Sequence, residues 1–442
     1  MADVTEFDVV VVGGGIAGCF AAIGASLVGG RVLLVDRGPH LGGQATTTGE
    51  RQFCGDVLHV NDPFRRMLED LQRLGSLDPI EPEKGGTRFD GVALAFVLQE
   101  HMARMGVHLL LHTTLVGADR SGGLVTGIKV FNKGGLHTFA PRFVIDCTGD
   151  ADLSSFAGFP TVKGGPVHRP DGSVDQGKSL QLPMSLCFWM EDVGRRVEPR
   201  LPPSCPTWKG EDDMPMTSVD QVTPHTIFVK MKVVGGDVTD GWSHTQAELS
   251  AWRQMMGLVY HLQTKGYRGR RFDTYRLSHV APGLGVREGR RIVGNYVLTE
   301  EDVRSGREFP DAVAVGTYQI DYHWPDVLQR AGTGITDLVP PYHIPFRCLV
   351  PRGARNLAVA GRCISGDQMA MSSFRVLTTC AQTGFAAGVS CALAMASQVD
   401  LSAVDVGRIQ ELLEENGQVL DREPYMAFYR ARQRKRRLKS AG

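Results

Sequence analysis

Three glycines set the first piece of chemistry this chain can do. Residues 7–18 read Phe-Asp-Val-Val-Val-Val-Gly-Gly-Gly-Ile-Ala-Gly, an apolar run followed by Gly13-x-Gly15-x-x-Gly18. Glycine at the first position permits a tight turn, at the second it lets a pyrophosphate approach the backbone, and at the third it lets helix and strand pack closely. Ala17, Gly18 and the small residues to Ala22 suit a helix whose free N-terminal amides would face the phosphates. A second apolar run, Arg31–Val35, ends at Asp36, 18 residues after Gly18. An acid there accepts hydrogen bonds from ribose hydroxyls, and Arg37 follows it. Strand, glycine turn, helix, strand and acid together point to a bound dinucleotide.

The second set of reactive residues is titratable. Gly316–Pro325 joins Asp321, His323, Trp324 and two tyrosines within ten positions. A histidine, with its ordinary pKa of about 6.5, suits general-base work, and a loop-capping histidine fits the same residues. Arg287, Arg291, Arg347 and Arg375 are candidate cationic anchors, and an Arg in apolar surroundings needs a partner. That partner is a substrate carboxylate, the cofactor, or an acid such as Glu288 or Asp321. For Arg287 a structural pair with Glu or Asp is expected; for Arg347 and Arg375 both readings stand. Cys54 reads as a buried thiol, with a redox or cofactor-linked thiol as the alternative. His343 is ambiguous. No His/Cys/Asp set has metal spacing and no Gly-x-Ser-x-Gly occurs, so metal-dependent and serine hydrolysis are disfavoured.

The elements that would position these residues alternate in type. Asn61-Asp62-Pro63 starts a helix with Phe64, Met67, Leu68, Leu71 and Leu74 on one stripe. A further helix spans about 90–104. Strands are expected at Val107–Leu111, Gly123–Phe131, Leu136–Phe139 and Phe143–Asp146, the last running into Thr148-Gly149-Asp150. From about 161 to 340 the texture is mixed, with a helix at 245–265. Strand, glycine and small-residue helix return at 356–361 and 373–396. The fold class is therefore α/β, with a discontinuous nucleotide domain (1–160 and 341–400), an inserted mixed α/β domain for substrate (161–340) and a basic helical tail (401–442). The chain has 442 residues and a formal net charge of zero, so a nucleic-acid-coating surface is not expected. No unbroken apolar stretch of spanning length occurs, and residues 1–6 lack the pattern of a signal peptide. Nine scattered cysteines without a C-x-x-C pair fit a reducing, cytoplasmic location. The basic run Arg430–Lys439 reads as a solvated, frayed helix end, with contact to RNA or another anionic partner as the alternative.

Several of these segments together resemble the bacterial FAD-dependent oxidoreductases, a group with a glutathione-reductase-like, Rossmann-type flavin domain. They are Val9–Gly18, Asp36, Leu41–Thr46, Ile145–Asp152, Gly285–Gly294, Ile344–Arg347 and Asn356–Ser365. The group is distantly similar to the flavoprotein that modifies tRNA wobble uridines. The resemblance reaches to about residue 397 and implies FAD. Gly13, Gly15, Ala17 and Gly18 would hold its pyrophosphate, with Asp36 and Arg37 by the adenosine ribose. Gly42, Gly43, Gln44, Ala45 and Thr46 would run along the phosphates toward the flavin ring. Val116 would meet adenine through its backbone, and Thr148, Gly149 and Asp150 would pack beside the cofactor. Gly361 and Arg362 fall at the third flavin segment, where the wider group often has Gly-Asp, so the ribitol partner is open. Gln368 stands where relatives often have His.

The resulting expectation is an FAD-dependent dehydrogenase or oxidase that removes a hydride from a small organic substrate, with oxygen or another acceptor reoxidising the flavin. His323, Arg347 and Arg375 are its candidate catalytic residues; no metal, membrane or nucleic acid takes part, and an oligomer is compatible. A flavoprotein reductase or tRNA-modifying enzyme, and a non-catalytic nucleotide-binding scaffold, are the alternatives. The segment Gly283–Gly289 has charged residues where close backbone approach is needed, and no apolar strand leads into it, so no dedicated NAD(P)H domain is expected. Electrons should enter from substrate: micromolar NADH or NADPH should leave the flavin oxidised in anaerobic mixing, and rapid saturable reduction would contradict this.

Overall fold

The valine run Val9–Val12 has no exposed face because it lies in the middle of a sheet. A computed structural model of the chain describes residues 7–27, 29–329 and 334–440. In it five strands run in the order Leu357–Val359, Phe143–Asp146, Val9–Val12, Val32–Val35, His108–Leu110, every neighbouring pair parallel. Parallel strands covered on both faces read as unbroken apolar runs, and these do. The chain reaches the sheet's last strand only at residue 357, so one sheet gathers both ends of the sequence.

Two helices pack together beside this sheet, Ile16–Ser26 and Leu377–Ser397. Glycines make their contact possible. A Cβ on Gly384 would fall 2.1 Å from the Ala17 carbonyl oxygen, one on Gly388 2.1 Å from that of Ala21, and one on Gly24 2.5 Å from that of Phe385. Leu377–Ser397 is long and apolar enough to cross a membrane by length and composition, but 89% of its most apolar window is buried against the rest of the molecule. The sequence suggested one helix from Ser373. The chain instead forms Gln368–Phe374, breaks at Arg375–Val376, and restarts at Leu377.

A three-stranded antiparallel sheet follows the strand His108–Leu110, with strands Thr114–Ser121, Leu124–Asn132 and Gly135–Phe139. The first of these was not expected, because its residues from Asp119 onward are polar and exposed. The middle of the chain builds a four-stranded antiparallel sheet in the order Met216–Thr223, Thr226–Val233, Met184–Asp192, Tyr275–Val280. Its strands alternate. Met184, Leu186, Phe188 and Met190, with Ile227, Val229, Met231 and Val233, pack against the helix Gly241–Lys265. That helix begins four residues before the expected 245 because Asp240 caps it, accepting from the Ser243 amide at 2.7 Å.

The alternate residues Ser185, Cys187 and Trp189, with Phe228, Lys230 and Lys232, therefore face the other way. The segment that follows Gly43 lies directly beneath them: at Gly49 (φ +76°) a Cβ would fall 2.6 Å from that of Cys187. The basic tail is helical, and Arg432 within it donates to the Gln319 side chain at 2.8 Å. Glu423–Ser440 is a helix pinned by the wholly buried Tyr425, whose hydroxyl donates to the His59 carbonyl at 2.6 Å.

Gly388→Val should destabilise the protein by about 1–3 kcal/mol, the usual cost of forcing atoms into a filled contact. Thermal or denaturant unfolding reads it; an unchanged midpoint would show that the two helices separate without penalty.

Candidate functional site

The glycine turn behaves as its residue types require. Gly13 has φ +104°, and a Cβ there would meet the Cys147 carbonyl oxygen at 2.3 Å; one on Gly18 would meet that of Gly13 at 1.7 Å. Gly15 differs. Its Cβ would find nothing nearer than the Gly43 Cα at 4.0 Å, so this glycine borders open space rather than packed protein. Gly15 is also the N-cap of the helix Ile16–Ser26, and no side chain caps that helix. Its first amides thus stand beside an opening, the arrangement an anion needs. Asp36 takes the Gly14 amide at 2.5 Å and the Gly38 amide at 2.6 Å, one on each oxygen, and keeps further lone pairs. Arg37 is exposed beside it.

The second and third expected segments converge on the same turn. Buried Asp146 ties the strand end together, accepting from Thr148 and Ser154 through both amide and hydroxyl, at 2.7–3.1 Å. Gly361 (φ +84°) lies against the helix start: a Cβ there would sit 2.9 Å from that of Ala17. Arg362 pairs with Asp150 at 2.9 Å, and its Nη1 is buried without a hydrogen-bond partner. An acid is thus present at this junction, supplied by the second segment rather than the third. The open space at Gly15, the uncapped helix and the unpartnered guanidinium nitrogen fit a dinucleotide with its phosphates.

The residues after Gly43 make bonds within the protein. Gln44 spends its side-chain amide on the backbone of Val286, donating to its carbonyl at 2.8 Å and accepting from its amide at 3.0 Å. Ala45 is buried, and the Thr46 hydroxyl bonds back to the Leu41 carbonyl at 2.9 Å. Gly42 lies close to the turn, donating to the Gly14 carbonyl at 2.8 Å. The chain bonded to the Asp36 turn is Leu110–Thr113, whereas Val116 lies farther on, exposed, at a bulge.

Charged side chains from five separate parts of the chain form a second cluster. His323 and Asp321 end the short strand Ile320–His323, with Nε2 of the ring 3.2 Å from the carboxylate. Arg375, at the break between the two helices, donates to the same Asp321 oxygen and to its backbone carbonyl, both at 3.1 Å. Glu50 and Lys230 pair at 3.0 Å. Arg287 donates to the Pro183 carbonyl at 2.8 Å. Arg287 is buried, but the other side chains keep partial access, from 14% for Arg375 to 35% for Glu50, so they border a cleft rather than fill a core.

Burial and mutual charge set the protonation states. Burial pushes His323 down to about 4, and Arg287 and Arg375 add to that against the opposing pull of Asp321. Burial alone would raise Asp321, but His323, Arg375 and Arg287 outweigh it and hold the carboxyl well below the usual range. Glu50 is likewise lowered, burial being overcome by Lys230 and then Arg287. Burial, reinforced by Arg287, brings Lys232 down to about 8. Cys54 is pushed up to about 12 by burial and Glu50, which disfavours a reactive thiolate.

Two sequence expectations change here. Arg347 is not in the cleft: half-exposed, it forks Asp311 at 2.8 and 3.1 Å and lies over the Tyr296 ring. Arg287, expected to pair with an acid, has no carboxylate partner among the described residues. Its neighbour Arg291 takes Glu288 instead, and Gln368 completes that buried knot by donating to Glu288 at 2.6 Å. Glu50, Lys230 and Lys232 were missed. The alternation Val229-Lys230-Met231-Lys232-Val233 was a usable signal, since period-two lysines in an apolar strand mark a charged face.

A family model described as FAD dependent oxidoreductase matches residues 8–413. No curated protein matches the chain. Among solved structures, CabE, an aromatic hydroxylase from angucycline biosynthesis, is 13% identical over 99% of this chain and 73% of its own, with a TM-score of 0.48. A geranylgeranyl bacteriochlorophyll reductase-like protein from Thermoplasma acidophilum is 12% identical over 97% and 87%, with a TM-score of 0.49. The p-nitrophenol 4-monooxygenase PnpA from Pseudomonas putida is 12% identical over 96% and 86%, with a TM-score of 0.47.

Gly15→Val should leave the fold intact, because the added carbons enter open space, and should abolish dinucleotide retention. Cofactor content after gel filtration, read beside circular dichroism, checks this; normal content in the folded variant would contradict it.

Proposed function

This chain belongs to the FAD dependent oxidoreductase family, enzymes that use FAD, and from that premise we propose that it removes a hydride and a proton from a small organic substrate at a CH–OH, CH–NH or CH–CH bond. On this reading the flavin domain is of the glutathione-reductase type. It is assembled from residues 1–160 and 341–400, with 161–340 inserted to cover substrate and 401–442 as a tail. The five-stranded parallel sheet completed by Leu357–Val359, with the three-stranded sheet after His108–Leu110, supports that type. The turn Gly13–Gly18 and the amides that follow would hold the pyrophosphate, and Asp36 the ribose. Arg362, backed by Asp150, would stand where the wider group places an acid. When bound, FAD accepts the hydride. Oxygen or another small acceptor would reoxidise it.

The observation that carries the reading is the state of His323. Its Nε2 faces an ionised carboxylate, so that nitrogen carries the proton and donates to Asp321. Its Nδ1 then has a free lone pair, and it is buried with no hydrogen-bond partner. This is a base fixed in one tautomer, oriented by an acid that Arg375 holds in turn. When Nδ1 takes the substrate's proton, Asp321 stabilises the imidazolium formed. The charged cleft supplies fixed dipoles in place of water.

An anaerobic screen of small metabolites for flavin bleaching tests the reading; a holoenzyme that no donor bleaches would contradict it. His323→Asn should keep FAD and slow flavin reduction by about 10²–10⁴-fold, the usual worth of a positioned base. Because burial lowers His323 to about 4, the base is free of its proton across the neutral range. The rate at limiting substrate should therefore stay level from pH 9 down to about 5.5 and fall only as pH nears 4. A fall centred near 6.5, or a variant as fast as the wild type, would remove His323 from the role. Arg347→Gln should reduce flavin at the wild-type rate.

A further inference from the structure

Counting charges in the cleft leaves two cations over. Glu50 answers Lys230 at 3.0 Å, and Asp321 answers Arg375 at 3.1 Å. Arg287 is 7% exposed and donates to a backbone carbonyl, that of Pro183. Lys232 is wholly buried and its Nζ has no hydrogen-bond partner. Asp326 acts on Lys232 from farther off, but it is already held by Arg169 at 2.6 Å and Lys178 at 3.4 Å. Ser185 is the direct cross-strand partner of Lys232, and its hydroxyl is also buried without a partner. A buried ammonium and guanidinium that repel one another are costly unless an anion joins them.

These groups have a common direction. Strand alternation turns Ser185 and Lys232 away from the apolar core of the four-stranded sheet, to the face that carries Lys230 to Glu50. Arg287 is fixed in the same region, because its neighbour Val286 is clamped at both backbone groups by Gln44. Its charge acts on Lys232, Glu50, Asp321 and His323. An anion that answers both cations would therefore sit on this face of the sheet, beside Ser185 and Lys232.

We propose that Arg287, Lys232 and Ser185 form the recognition site for a carboxylate of the substrate, so that the enzyme oxidises small organic carboxylates. A planar carboxylate suits an arginine fork beside an ammonium point charge. The proposal rests on the reading of this cleft as the substrate site. It assigns the two cations to specificity and leaves proton transfer to His323.

The test uses the FAD-loaded full chain. Malonate and succinate are titrated, with malonamide and succinamide as uncharged counterparts, while the oxidised flavin spectrum and the melting temperature are followed. At least one dianion should perturb the spectrum saturably and raise the melting temperature, and the diamides should do neither. Arg287→Met and Lys232→Met should each weaken that binding about tenfold or more, the scale of a lost hydrogen bond to a charged group. Without ligand, Lys232→Met should melt above the wild type, because an uncompensated buried charge is gone. If Arg287→Met does not fold, Lys232→Met and Ser185→Ala carry the comparison. Silence toward both dianions, equal response to the diamides, or unchanged affinity in Lys232→Met would overturn the proposal. Bleaching of the flavin by an uncharged donor as readily as by a carboxylate would overturn it too while sparing the hydride reading. Carboxylate binding in a protein that no donor bleaches would do the reverse.

Discussion

The helix Ile16–Ser26 meets Leu377–Ser397 with almost no side chain between them, and the parallel-sheet half of the molecule is arranged around that contact. Gly18 lets it close onto Gly13, and Gly24, Gly384 and Gly388 let the helix Leu377–Ser397 lie on its backbone. Protein interiors are packed tightly enough that a single added carbon at such a point must displace something. The approach fixes more than packing. It brings the segment before the second helix, Gly361–Arg362, against Ala17 at the start of the first. Residues far apart in sequence thus meet at one helix end because two helices were allowed to touch.

The charged cleft obeys a different economy. A dry core would be more stable with leucine at most of these positions, since ion pairs removed from water rarely repay their desolvation. Instead, Lys230 and Arg287 keep Glu50 ionised, Arg375 and Arg287 do the same for Asp321, and the histidine among them is kept neutral. The knot of Arg291, Glu288 and Gln368 nearby has the opposite character. There each charge is answered by backbone or acid, with Arg291 also donating to the carbonyls of Gly366 and Gly164 at 3.0 Å. One network closes on itself and braces the loop that leads to Arg287; the other stays open toward the cleft.

What was legible in the sequence was what local residue types dictate. Gly13, Gly15, Gly18 and Asp36 announce a nucleotide turn because each position imposes a steric or hydrogen-bonding demand that few residues meet. Asn61 marked a helix start through the same local chemistry and caps its helix, as Asp90 caps the next. His323 and Asp321 could be paired by eye because they are two residues apart. Lys230 and Lys232 could not be joined to Glu50 or Arg287, since that meeting depends on which face of a distant sheet turns toward which loop. Arg347 misled for the complementary reason: an apolar Ile-Pro-Phe context suggested burial, while the fold carries its tip outward to Asp311. The helix break at Arg375 was hidden because Val376 and Leu377 continue an apolar run, and only the tertiary pull of Asp321 shows why the chain stops there.

Gln44 links the two chemistries. One amide grips both backbone groups of Val286, and it follows directly on Gly43, whose Cα lies 4.0 Å from where a Gly15 side chain would begin. The loop bearing Arg287 and the backbone bordering the phosphate space are therefore mechanically one piece. Any ligand that shifts the first alters the free energy of occupying the second, and thermodynamic linkage makes the effect mutual and equal in both directions. On the proposed reading, substrate occupancy and flavin retention would be two ends of a single lever, with the amide of Gln44 as its pivot.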